Sequence, residues 1–330
     1  MKYNYLGNTG IRVSCLCMGT MTFGREADKA ASRAIFNQCR DAGINFFDCA
    51  NVYSQGQAET ILGELISDCR HELIVTSKFG HPFDDDPNNR GGSRRNLAAS
   101  LEASLRRLNT DYLDIYFLHQ FDPQTPLAET LRALHDVVAQ GKVRYTGVSN
   151  FAAWQIAKAL GICALNNWVP IHCVQPMYNL VKRQAEVEIL PLAEAENLAV
   201  VSYNPLGGGL LSGKYGRDRR SGEGRLTGND MYRKRYRAQW MYDAAASFAR
   251  FAAEKGYHPV SLAVAWVAHH PAVTAPIIGA RSVEQAKDSI QAAEIELSPD
   301  IYDAICRLTP RPAPATDRTE DLIEDETDKK

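Results

Sequence analysis

The chain has 330 residues, 45% of them hydrophobic and 23% charged, with a formal net charge of −2. These are the proportions of an ordinary globular protein, and the near-neutral balance argues against nucleic acid or an anionic membrane as partner. The length exceeds the usual single domain, but α/β barrels often run this long as one. Cys15, Cys17, Cys39, Cys49, Cys69, Cys163, Cys173 and Cys306 are scattered. They form no C-x-x-C pair and no Cys/His cluster with zinc spacing, so no metal site is expected. The start, Met1-Lys2-Tyr3-Asn4-Tyr5, lacks the apolar core of a signal peptide, and no apolar run is long enough to span a bilayer. A reducing cytoplasm with free thiols is the simplest expectation.

In chain order, Tyr3-Asn4-Tyr5-Leu6 and Ile11-Arg12-Val13 flank Gly7-Asn8-Thr9-Gly10, the pattern of a hairpin. Strand-like and helix-like segments then alternate. Strands are expected to end near Gly19, Asp48, Lys78, His119, Ser149, Gln175, Tyr203 and Gly279. Helices are expected near 27–42, 58–68, 94–108, 127–140, 152–160, 184–197, 242–256 and 282–292. Thr125-Pro126 reads as an N-cap followed by proline at the first helical position, and Ser282-Val283-Glu284-Gln285 is close to a capping box. Gly43, Gly141 and Gly161 sit where helices should stop.

Eight strand–helix pairs point to a (β/α)₈ TIM barrel with an N-terminal β-hairpin. A doubly wound open sheet is the alternative, but Cys17-Met18-Gly19-Thr20-Met21-Thr22 lacks its G-x-G-x-x-G turn. A single barrel domain is expected over 1–310. Residues 207–240 interrupt it as a long loop, Gly-rich and then basic (Arg217, Arg219, Arg220, Arg225, Arg233, Lys234, Arg235, Arg237). The tail, 311–330, turns acidic and reads as disordered.

Asp48, Tyr53, Lys78 and His119 each lie at or just after the end of an apolar, strand-like run. In a parallel barrel those ends converge on one face, where catalytic groups are placed. Singly, Tyr53 reads as a surface tyrosine, Asp48 and Lys78 as a structural ion pair, and His119 as a core histidine. Together, a phenol, an ammonium, a carboxylate and an imidazole make a proton-delivery device.

Read in order, the motifs resemble those of the aldo-keto reductase family. Asp48-Cys49-Ala50-Asn51-Val52-Tyr53 is similar to the family's D-T-A-x-x-Y, and Ser77-Lys78 and Leu118-His119 to its lysine and histidine strand ends. Gly147-Val148-Ser149-Asn150 resembles G-x-S-N, and Gln175-Pro176-Met177-Tyr178-Asn179 resembles Q-x-x-Y-N. The stretch from Ser202 to Lys214, with Pro276-Ile277-Ile278-Gly279-Ala280-Arg281, is similar to the branch holding bacterial aryl-alcohol-dehydrogenase-like reductases and potassium-channel β-subunits. The resemblance covers roughly 2–308. Cys49 replaces the usual threonine, Asn51 a frequent aspartate, and Ser289 a common asparagine.

The resemblance implies reduction of an aldehyde or ketone by NADPH (leaving NADP⁺). Tyr53 would donate the proton to the carbonyl oxygen, Lys78 would lower the phenol's pKa, Asp48 would hold Lys78, and His119 would orient the carbonyl. Gly19, Thr20, Met21 and Asp48 would border the cofactor. Ser149, Asn150 and Gln175 would hold its carboxamide, and Tyr203 would stack on the nicotinamide. Asn150 would serve equally to cap a helix starting at Phe151. Asn204, Leu206, Gly208, Leu210 and Lys214 would follow the pyrophosphate. Ile278 and Gly279 would lead to Arg281, Ser282, Gln285 and Ser289, where guanidinium and backbone N–H groups suit a 2′-phosphate. The pocket rim is expected to include Met21, Phe23, Phe79, Phe83, Phe121, and Trp154 or Tyr178. Three other readings stand beside this one: a cofactor-binding β-subunit-like protein with vestigial catalysis, a Schiff-base aldolase using Lys78, and a metal-dependent hydrolase. The oligomeric state is left open.

Overall fold

The computed structural model describes residues 1–215 and 224–318. β1 (Tyr3–Tyr5) and β2 (Arg12–Ser14) form the expected antiparallel hairpin. Eight parallel strands follow: β3 (Cys17–Gly19), β4 (Phe46–Asp48), β5 (Ile74–Phe79), β6 (Leu113–Leu118), β7 (Val143–Ser149), β8 (Ile171–Gln175), β9 (Ala199–Val200) and β10 (Ile277–Ile278). β10 pairs with β3. At the other edge Ile277 N donates to Ser202 O at 2.8 Å, and Tyr203 bridges Ile277 in parallel. Those contacts carry the sheet round into a barrel.

Side chains alternate along the strands, as the two-residue period demands. Cys17, Phe46, Ile115, Phe117 and Cys173 gather in an inner cluster, while Met18, Phe47, Tyr116 and Leu118 join the larger outer one under the helices. Leu6 and Val13 of the hairpin belong to the inner cluster. Asn4 Nδ2 donates to Thr274 O, and Tyr145 Oη to Thr9 O. The hairpin therefore closes the N-terminal end of the barrel and leaves the C-terminal end open. Gly147 lacks a side chain for a local reason: a Cβ there would stand 2.3 Å from the Phe117 ring.

The helices are α1 (Lys29–Asp41), α2 (Gln57–Ile66), α3 (Arg94–Leu108), α4 (Leu127–Ala139), α5 (Ala153–Asn166), α6 (Ile189–Ala195), α7 (Arg225–Gly228), α8 (Asp230–Arg235), α9 (Gln239–Glu254), α10 (Pro259–His269), α11 (Val283–Ile290) and α12 (Pro299–Cys306). Four local expectations need correction. α4 is capped by Pro126, while Thr125 Oγ1 turns away to Asp122 Oδ2 at 2.6 Å. Gly161 does not stop α5, which runs on to a left-handed Asn167. The expected helix at 184–197 is broken into a 3₁₀ turn, Gln184–Glu186, and α6. α10 was not anticipated: Ser261–Val267 are all buried, so the helix shows no polar face to set a period.

The 207–240 segment carries more structure than a loop. It begins with a 3₁₀ turn, Gly207–Ser212, and includes α7 and α8. Arg217, Arg219 and Arg220 lie outside the described residues, as does the tail beyond 318. The described cysteines are all free, and no described helix is long and apolar enough to cross a membrane.

Candidate active site

Asp48 ends β4, Lys78 is next to last in β5, His119 follows β6 directly, and Ser149 and Gln175 end β7 and β8. All five therefore surround the open C-terminal mouth. Tyr53 arrives by another route, on a tight turn, Tyr53–Gly56, between β4 and α2. Pairing continues past the strand ends, with Cys49 N donating to Thr76 O, Asn51 N to Lys78 O and His119 N to Phe79 O.

At the centre is a buried ion pair. Lys78 Nζ lies 2.5 Å from Asp48 Oδ2, with side-chain exposures of 0% and 3%. Nζ also donates to Cys49 O at 2.7 Å and lies 3.4 Å from Tyr53 Oη. The other Asp48 oxygen, Oδ1, accepts from Thr76 Oγ1 at 2.7 Å and Gln175 Nε2 at 3.0 Å. A buried carboxylate is tolerable when its lone pairs are filled in this way. Burial works against the Lys78 ammonium, but Asp48 and Tyr53 outweigh it and hold Lys78 above the ordinary lysine range.

The phenol departs from expectation. Burial pushes Tyr53 up to about 12, and the Lys78 ammonium, which acts in the expected downward direction, recovers only part of that. Tyr53 is thus firmly protonated, a donor whose acidity depends on keeping Lys78 close. His119 stands edge-on to Tyr53, with ring centroids 6.1 Å apart. Burial, then Lys78, then His81 hold His119 well below the usual histidine range, so its ring is neutral at pH 7. Nδ1 of that ring is buried without a partner among the described residues, so the single N–H serves best on Nε2. Cys49 is fully buried and its thiol is pushed well up, which makes it a poor candidate for oxidation despite its position.

Sequence reasoning missed His81. Its ring lies 4.2 Å from that of His119, centroid to centroid. The one available signal was a histidine three residues beyond Lys78, just past the strand end.

The remaining candidates form a chain of hydrogen bonds. Tyr203 Oη donates to Asn150 Oδ1 at 2.7 Å; Asn150 Nδ2 donates to Ser149 Oγ and to His119 O; Ser149 Oγ donates to Gln175 O; Gln175 Nε2 reaches Asp48. Asn150 is left-handed (φ 57°) and does not cap α5, whose N-cap is Ala152. Thr20 Oγ1 donates to Asp48 O at 3.0 Å, beside buried Gly19 and half-buried Met21. Asn204 Oδ1 accepts from Gly208 N, Leu206 is half-buried, Leu210 is fully buried, and Lys214 is exposed. Beyond buried Ile278, Gly279 is exposed with open space above it. Ser282 caps α11 by accepting from Gln285 N, but the Gln285 side chain accepts from Arg281 N, one residue earlier than a capping box requires. Gln285 is exposed and Ser289 is 1% exposed, so the two do not share one open face.

The expected rim also needs correction. Phe23, Phe79 and Tyr178 are fully buried; Phe79 stacks on Tyr116 and Tyr178 packs against Trp266. Phe121, packed against Phe151 and Trp154, remains with Met21 and Phe83 at the surface of this end.

A buried lysine–carboxylate pair beside a phenol and an imidazole, all at barrel strand ends, is the pattern that the motifs anticipated. The model of the "Aldo/keto reductase family" matches residues 15–309. The chain belongs to that family. An uncharacterized oxidoreductase of Bacillus subtilis, YrpG, is 38% identical over 96% of this chain and 98% of its own length. Aldo-keto reductase family 7 member A3 of Homo sapiens is 35% identical over 87% and 91%. A probable voltage-gated potassium channel subunit beta of Oryza sativa is 34% identical over 92% and 95%. This aldo/keto reductase family member therefore has oxidoreductases among its full-length relatives, and also proteins named as channel subunits.

Proposed function

We propose that the protein is an NADPH-dependent reductase of aldehydes or ketones, built as one barrel domain over residues 1–310, with Tyr53 as proton donor. The observation that carries this reading is the Tyr53 hydroxyl 3.4 Å from a Lys78 ammonium that is itself locked to Asp48. The cofactor, when bound, supplies the hydride. The chain's part is to hold the carbonyl between Tyr53 and His119 Nε2 and to deliver the phenolic proton as charge develops on oxygen. Lys78 stabilises the phenolate left behind, and Asp48 keeps Lys78 charged and aimed.

The residues suit a dinucleotide. Tyr203 offers a half-buried ring, and Gln175 uses only Nε2 on Asp48, which leaves Oε1 outside that bond. Exposed Gly279 leads to half-exposed Arg281 at the N-terminus of α11, a setting that suits a phosphate. The aldolase reading loses ground because a Schiff base needs a free amine, and Lys78 is fully buried and held charged.

Mixing the protein with NADPH and a panel of aromatic, aliphatic and sugar-like carbonyls should deplete reduced-cofactor absorbance. Tight NADPH binding without turnover on any of them would favour the β-subunit-like reading instead. Arg281→Ala should weaken NADPH roughly tenfold while leaving NADH nearly unchanged, the loss of one charge-assisted phosphate contact. Equal wild-type affinities for the two cofactors would defeat the preference.

A further inference from the structure

The turn that presents Tyr53 is strained. Ser54 (φ 49°) and Gln55 (φ 53°) are left-handed without being glycine, and Gly56 follows at φ 90°. Such a run persists only where its surroundings hold it in place. On one side, Ser54 Oγ donates to Phe23 O at 2.8 Å. On the other stands Arg107, in the last turn of α3. A Cβ on Gly56 would lie 2.8 Å from Arg107 Cδ and 2.9 Å from its Nε, so the turn rests directly on that side chain.

Arg107 is anchored in turn. Its Nε donates to Glu59 Oε2 at 2.7 Å, and Glu59, in the first turn of α2, is fully buried. The second carboxylate oxygen accepts from Ser77 Oγ at 2.5 Å. Ser77 immediately precedes Lys78, and strand alternation sends it outward to the helix layer while Lys78 points into the barrel mouth. The Arg107 guanidinium also lies 5.3 Å from the Phe83 ring, on the loop after β5.

We infer that Glu59 and Arg107 are positioning residues, a clamp that locks the strained Tyr53 turn to the strand carrying Lys78. Neither reaches the four groups at the mouth; they act through Gly56 on one side and Ser77 on the other. Burying a carboxylate is costly, and an apolar pair would fill the space as well. What the ion pair adds is a fixed distance between two elements whose side chains must meet. The phenol–ammonium separation of 3.4 Å is already at the long end of a hydrogen bond, so a small relaxation of the turn breaks it. The inference rests on the reading of Tyr53 as proton donor.

The test uses the full chain with NADPH and 4-nitrobenzaldehyde. Glu59→Gln combined with Arg107→Met removes both charges and leaves no buried carboxylate unpaired. Gly56→Ala drives a Cβ against Arg107 Cδ and Nε while leaving both charges in place, so it strains the contact between turn and clamp and carries the test if the double variant does not fold. Arg107→Lys keeps a cation for Glu59 and should recover part of the loss. For the first two variants, kcat should fall roughly tenfold to a hundredfold, the scale of an ångström-sized misplacement. Kd for NADPH should stay within about twofold, because the groups proposed to hold the dinucleotide are not displaced. The solvent deuterium isotope effect on kcat should rise as proton transfer becomes limiting. Tyr53→Phe is measured alongside. If it abolishes turnover while the clamp variants keep wild-type kcat, the clamp is refuted and the proton donor stands. If it leaves turnover intact, the reading of Tyr53 itself fails. A loss of kcat matched by equal losses in NADPH binding would also overturn the clamp, since that is the mark of general damage.

Discussion

Tyr53→Phe is expected to reduce carbonyl reduction by about 10²–10⁴-fold, the usual worth of a positioned general acid. The substitution removes one oxygen and leaves the ring, its edge contact with His119 and the turn intact. NADPH affinity should therefore survive, and the loss should fall on kcat. The oxygen removed makes one contact with Lys78, while the Lys78 ammonium keeps Asp48 and the Cys49 carbonyl. Stability should change little. Measuring kcat, the NADPH Kd and the thermal midpoint on one preparation separates these claims. Wild-type turnover would remove the proton donor from the proposal, and collapse of the fold would mean that the hydroxyl matters to structure instead.

Lys78→Met should damage both activity and stability. It leaves Asp48 as a buried carboxylate with two donors, Thr76 and Gln175, but no cation. Breaking a buried pair from one side typically costs about 3–5 kcal/mol, whereas replacing both partners by neutral groups is far cheaper. Asp48→Asn with Lys78→Met should therefore recover most of the stability lost by Lys78→Met and none of the turnover. Urea midpoints of the single and double variants, read beside kcat, make the comparison. Equal midpoints would show that the pair has no structural role.

The same pair fixes a pH dependence. Lys78 is raised above its unfolded value, so its contribution is complete below the ordinary lysine range and is lost only as pH climbs through the folded value. The advantage of wild type over the double variant should persist from neutral pH to about 10 and shrink above it. An advantage that vanished at mildly acidic pH would contradict this.

How much of the site was legible depended on where each residue's partners lay along the chain. Asp48, Lys78 and His119 were readable because each sits at or just past a short apolar run, and parallel strands bring such ends together. The barrel followed from the same alternation. α10 escaped notice because it is buried on nearly every face, which erases the period that marks a helix. Phe23, Phe79 and Tyr178 are fully buried and not pocket walls, a distinction the sequence does not carry, because it does not separate an aromatic facing the mouth from one facing the helix layer. The sign of the Lys78 effect on Tyr53 was correct, yet the balance went the other way. Desolvation depends on how many atoms surround the hydroxyl, and no motif counts them.

The amino-acid sequence by itself determined the family, the barrel and the four groups at its mouth, since these depend on residue types at the ends of short, locally encoded elements. Tertiary structure alone decided what those groups rest on. Gln175 braces Asp48 from a strand 127 residues away, His81 meets His119 beside the ion pair, and Arg107 reaches Glu59 across 48 residues of chain. Contacts of that separation are made only once the layers close, because strand and helix periodicity specify which face a side chain takes but not which partner waits there.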